Sequence, residues 1–154
     1  MALDDDIALL ARQPLLSLME RDALRLVAFA AENRILRAGD VLFRAGEPSD
    51  GAVLIVSGSI ALTSREDGQP AEEIVGAGAL IGELALFTSV ARQVTAIARE
   101  PTQLMRLSRS VMRRVLAESP ASAEAVAAAI SERLRGFVSQ LTAVQDALTV
   151  IERR

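Results

Sequence analysis

One carboxylate and one guanidinium, nine residues apart, are the groups best placed to do chemistry in this chain. They are Glu83, within Gly82-Glu83-Leu84-Ala85-Leu86, and Arg92. From Ile74 to Ala91, Glu83 is the only charged residue. A carboxylate in so apolar a stretch is costly unless something accepts its charge or its hydrogen bonds. Arginine offers planar, charge-assisted donors, which suit a small anion. Gly82 lets backbone approach closely. The pair points to capture of a small anionic ligand, with the rest of the chain as the scaffold that presents it.

Composition removes most alternatives. Histidine and cysteine are absent, so there is no imidazole base, no Ser-His-Asp triad, no thiol nucleophile, no disulfide and no thiolate metal site. All 17 basic residues are arginine, which excludes a Schiff-base lysine and a P-loop lysine. An enzyme is not expected, and neither a metal nor a cofactor is implied. A net charge of −3 argues against a broad nucleic-acid-binding face. The N-terminus carries Asp4, Asp5 and Asp6, the opposite of a signal peptide's basic start. The apolar run over 74–91 is long enough to raise a membrane question. It contains Gly76, Gly78, Gly82 and Glu83 and lacks flanking anchors, so a cytoplasmic protein is expected, and the Ala-, Arg- and Gly-rich usage without lysine suggests a bacterial source.

The elements that must position the pair follow from periodicity. With 154 residues, one domain with a real core is expected. Residues 1–32 read as helices: Asp4 to Arg12 with Ile7 and Leu10 on one face, then Leu15 to Glu32 with Leu18, Leu24, Val27 and Ala28 repeating. Residues 33–107 read as short strands at 35–36, 41–43, 52–56, 60–63, 72–75, 93–98 and 103–107, broken by glycine turns, with Asp67-Gly68 as a hairpin signal. Close spacing of short strands implies an antiparallel sandwich or barrel. Residues 108–154 return to helix, with Pro120 at a first turn. From Ala123 the apolar residues Ala127, Ile130, Leu134, Phe137, Leu141, Val144, Leu148 and Ile151 alternate at intervals of four and three. That seam predicts a helix over 120–153 whose distal half, 130–151, pairs with a second copy.

Gly39-Asp40-Val41-Leu42-Phe43, Gly46-Glu47, Val56-Ser57-Gly58-Ser59-Ile60, Gly78, Ile81 to Phe87 and Arg92 together carry a resemblance. The chain resembles the cyclic nucleotide-binding domain of the catabolite activator protein and of the regulatory subunit of protein kinase A, over about residues 10–140. The resemblance implies an α+β fold: an antiparallel β-roll or jelly-roll barrel with N-terminal helices and a long C-terminal helix. It implies a phosphate-binding cassette over 82–95 and a cyclic nucleotide ligand, cAMP or cGMP.

In that cassette Arg92 would take the cyclic phosphate and Glu83 the ribose 2′-OH. Gly82, Leu84 and Ala85 would bring a short helix and its N–H groups to the same phosphate, and Gln93 would add a backbone N–H or its amide. Glu83 and Arg92 would be partial charge partners when no ligand is present. The sequence departs from the family at Ala91-Arg92-Gln93-Val94-Thr95, where a proline usually precedes the arginine, so a looser loop is expected. The family places its long helix over the base near Arg135 to Gln140. Here Phe137 would stack on a purine or belong to the dimer seam, with Ser139 and Gln140 as polar neighbours. The chain ends at Arg154, its Arg153-Arg154 a tail, without a helix-turn-helix, so direct DNA binding is not expected. The reading is a stand-alone sensor that signals through its C-terminal helix to an effector protein. The alternative is a degenerate barrel kept as a dimerisation or scaffold module.

Overall fold

A computed structural model describes residues 2–64 and 73–152. Two N-terminal helices, α1 (Ala2–Leu10) and α2 (Arg21–Phe29), precede eight strands. These are β1 (Glu32–Leu36), β2 (Val41–Phe43), β3 (Gly51–Ser57), β4 (Ser59–Thr63), β5 (Glu73–Gly76), β6 (Leu80–Ile81), β7 (Thr95–Ala98) and β8 (Thr102–Ser108). Helices α3 (Arg109–Glu118) and α4 (Pro120–Glu152) follow. The strands form two antiparallel sheets, ordered β1-β8-β3-β6 and β2-β7-β4-β5, which face each other as a jelly roll. β4 and β5 pair antiparallel as a hairpin requires. The Asp67-Gly68 turn lies outside the described residues, as do Glu72 and the Arg153-Arg154 tail.

The core is divided by one wall. On β3, Ala52 and Leu54 join the helix-side cluster with Ile7, Leu24, Met105 and Met112. Val53 and Ile55 join the barrel cluster with Leu36, Phe43, Ile60 and Leu104. Alternate side chains of a strand point to opposite faces. A strand covered on both faces therefore reads as a continuous apolar run, as Ala52 to Val56 does.

The expected helix over 15–32 is interrupted. Leu16–Leu18 is a 3₁₀ turn, and Met19 is extended before α2 begins. Leu16 and Met19 are buried, whereas Leu18, expected on the buried stripe, is 43% exposed. The break has a partner: the Glu20 N–H donates to Ser122 Oγ on α4 at 2.9 Å. That bond ties the root of α4 to the N-terminal layer, where Val126 is also buried. β6 was not expected as a strand; its two residues pair with β3 just before Gly82. At the other end of the roll, Ser108 caps α3 by accepting the Val111 N–H at 3.1 Å.

Beyond its root, α4 leaves the domain. Every residue from 131 to 151 is exposed, including Leu134, Phe137, Leu141, Val144, Leu148 and Ile151. Among the described residues, no helix is long and apolar enough to cross a membrane.

Candidate functional site

β6 delivers the chain to Gly82, which sits in the left-handed region at φ +79°. Glycine takes that conformation without strain. A 3₁₀ turn, Glu83–Leu86, follows and buries Ala85 and Leu86. Its first bond runs from the Ala85 N–H to the Gly82 carbonyl at 2.9 Å. The Ala85 N–H is therefore used inside the turn, contrary to the expectation that it is exposed to ligand. The N–H groups of Glu83 and Leu84 precede that bond and are unused within the turn.

Arg92 is fixed from the backbone outward. Its N–H donates to the Glu47 carbonyl at 2.8 Å, and its carbonyl accepts the Gly46 N–H at 2.7 Å. The Ser49 N–H donates to the Val90 carbonyl at 3.2 Å, and Ser49 Oγ donates to the same oxygen. Pro48 and Ala91 form an antiparallel bridge. The 46–49 loop thus holds the segment before Arg92 as a short ribbon, so the missing proline leaves no loose loop.

The Arg92 side chain reaches the barrel mouth. Nη2 donates to the Gly51 carbonyl at 2.9 Å, and the guanidinium carbon lies 4.3 Å from the centre of the Phe43 ring. A cation over an aromatic face at this distance is attractive. A Cβ at Gly82 would stand 2.6 Å from Nη1, so glycine is required there twice, for its φ and for this approach. Burial chiefly lowers the Arg92 pKa. Asp50 and Glu47 oppose that shift, while Arg106 and Arg109 add to it.

A cleft of about 250 Å³ opens beside this guanidinium. Gly82, Leu84, Ala85, Arg92 and Gln93 line it, together with Phe43 and other apolar residues. Five of the seven expected ligand residues are thus brought to one place. Glu83 is turned the other way: its Oε2 accepts the Leu15 N–H at 3.1 Å, which anchors the N-terminal layer to the cassette. Gln13 Nε2 adds a second tie, donating to the Gly78 carbonyl at 3.1 Å. Among the described residues Glu83 and Arg92 form no ion pair, against expectation; the pair observed is Arg106–Asp50 at 3.1 Å. Phe137, 58% exposed on α4, lines none of the described clefts, because the helix points away from the barrel at that level.

Several site residues escaped the sequence reading. Arg109, the first residue of α3, donates through Nε to the Ala85 carbonyl at 2.8 Å and through Nη2 to the Ser49 carbonyl at 2.6 Å. Its N–H also donates to the Asp50 carbonyl at 2.7 Å. One side chain therefore joins the cassette, the 46–50 loop and α3. Arg34, Arg106, Asp50 and Glu47 surround the far side of Arg92. The available signal was Arg34 and Arg106 at strand positions in phase with the buried Leu36 and Leu104.

The profile of the cyclic nucleotide-binding domain matches residues 33–119. A cyclic nucleotide-binding-like protein from Brucella abortus is 42% identical, over 73% of this chain and 98% of that one, with a TM-score of 0.69. The N-terminal domain of a transcriptional regulator from Streptomyces coelicolor is 28% identical, over 86% of this chain and 94% of that one, with a TM-score of 0.75. A lysophospholipase of Neurospora crassa is 30% identical over 73% of this chain. This chain spans only 8% of that enzyme's length.

Proposed function

This chain belongs to the cyclic nucleotide-binding domain family, and from that premise we propose that it is a cytoplasmic bacterial sensor of cAMP or cGMP. The carrying observation is the cleft in which Arg92 meets Gly82, Leu84, Ala85 and Gln93. A cyclic phosphate carries one negative charge and wants planar charged donors, which Arg92 supplies. The N–H groups of Glu83 and Leu84, unused inside their turn, add donors at the same rim. Glu83 serves the ribose hydroxyl once its carboxylate leaves Leu15.

The chain does no catalysis in this reading. It signals by a shift between two arrangements of α4, read by an effector protein. The exposed seam over 130–151 is the surface that pairs with a second copy, since six large apolar side chains at heptad spacing face solvent there. It contacts neither DNA nor membrane. This chain spans 8% of the lysophospholipase relative's length, and none of that activity is carried over.

A second reading has an observation in its favour. Arg92 already has Gly51 and Phe43, and Glu83 already has Leu15, so the cassette is satisfied without ligand. That suits a scaffold module that has given up its nucleotide. Isothermal titration of nucleotide-free protein with cAMP and with cGMP separates the two. The sensor reading expects binding that Arg92→Ala abolishes. No heat from either nucleotide at about 1 mM, a weak limit for a specific site, leaves the scaffold reading standing.

A further inference from the structure

Two clefts meet at Arg92, and the proposed cyclic nucleotide site uses only one of them. The other lies beyond the Arg92–Phe43 stack and has a volume of about 300 Å³. Arg34, Arg106, Glu47, Asp50 and the apolar Val53 line it with Arg92. Strand periodicity makes its lining unusual. Arg34 is in phase with Leu36 on β1, and Arg106 with Leu104 on β8, and both leucines are buried in the barrel cluster. Two neighbouring strands thus each turn an arginine inward at the barrel mouth.

Arg106 is answered by Asp50 at 3.1 Å. Arg34 has no ion pair and no side-chain hydrogen bond among the described residues. Three guanidiniums share the cleft with two carboxylates, and both carboxylates belong to the 46–50 loop. Glu32 of β1 stands across from Arg106 in register but lines the neighbouring cleft, so this cleft keeps one more guanidinium than carboxylate. Arg106 also acts on Arg92 unfavourably, pushing its proton affinity down. Packing gains nothing from such repulsion, and a bound anion removes it.

We propose that this cleft is a second anion subsite, which takes a phosphate-class group between Arg34 and Arg106 and shares Arg92 with the cassette cleft. Guanidinium forks match the oxygens of a phosphate in pairs. The group arrives either as a free inorganic anion or as a second phosphate on a nucleotide. The subsite stands independently of the cyclic nucleotide reading. An inward arginine on an edge strand such as β1 also discourages edge-to-edge pairing; that role predicts self-association of an Arg34 variant and no effect on anions.

The test is isothermal titration of the full chain with inorganic pyrophosphate and, separately, with adenosine 3′,5′-bisphosphate, repeated on Arg34→Ala and Arg106→Ala. Arg34 is exposed and has no partner among the described residues, so its variant keeps the fold, which circular dichroism checks. At least one probe binds at about 1 mM or tighter, and Arg34→Ala weakens it about tenfold, the loss of one good ionic contact. A tighter bisphosphate identifies a nucleotide-borne group, and pyrophosphate of equal or greater affinity identifies a free anion. Binding of neither probe at about 1 mM or tighter, or affinities unchanged in both variants, overturns the subsite. Titrating cAMP on the same samples separates the two conclusions: binding of either probe without cAMP removes only the sensor reading, and binding of cAMP with neither probe removes only the subsite.

Discussion

Replacing Gly82 by alanine tests the site where conformation and contact coincide. The left-handed backbone at φ +79° costs an alanine about 1–2 kcal/mol. The added Cβ also meets Arg92 Nη1 at 2.6 Å, so the guanidinium must swing off the Gly51 carbonyl. Arg92 is only half-buried, so solvent screening brings the loss of that bond down to about 1 kcal/mol, below the range for a fully buried charged donor. The two effects sum to about 2–3 kcal/mol of stability, read by urea unfolding without nucleotide. A double-mutant cycle separates them. In an Arg92→Ala background the clash has no target, so Gly82→Ala should then cost only its backbone share, with a coupling of about 1 kcal/mol. Gly82→Asn, which tolerates the left-handed region but keeps a Cβ, should show the opposite split. A cost for Gly82→Ala below about 0.5 kcal/mol, or one identical in both backgrounds, would refute the placement of Arg92 against Gly82.

Arg109→Ala leaves the Ala85 and Ser49 carbonyls without their donor and should cost about 2–3 kcal/mol in urea unfolding, with Arg109→Lys recovering part of it. Glu83→Ala removes the acceptor of the Leu15 N–H and should cost about 1 kcal/mol, with faster hydrogen exchange at Leu15. Glu83→Gln retains an acceptor and should preserve that protection while weakening ribose recognition; unchanged nucleotide affinity would remove Glu83 from the ligand site. Leu141→Glu with Leu148→Glu should convert a dimer to monomer in light scattering. The domain itself should change by less than about 0.5 kcal/mol, because both side chains are exposed.

The roll was legible because its strands are short, apolar and punctuated by glycine, and because Gly82, Leu84, Ala85 and Arg92 lie within eleven residues of one another. Such local segments carry their geometry with them. What escaped was set by distance along the chain. Glu83 looked like an orphan charge from its neighbours alone; its partner in the structure is the Leu15 N–H, 68 residues away. Met19 and Glu20 leave the helix because Ser122 is there to receive an N–H, which no local propensity records. The missing proline before Arg92 suggested slack, yet Gly46, Glu47 and Pro48 supply the restraint from another loop. Arg109 carried no signal in the sequence, and only the fold brings Ala85 and Ser49 to it. Phe137 had the right spacing for either role, and spacing cannot say where a helix leaves its domain.

The wall formed by β3 has a consequence for how this molecule comes apart. Leu54 and Ile55 are adjacent in sequence and fully buried, yet they report on different compartments. Methyl resonances from these two residues would read the helical layer and the barrel separately, from a single peptide. Because both compartments lean on the same strand, neither can melt while the other persists. The pair of signals should vanish together on heating, and β3 should be the last segment to surrender its amide protons to solvent.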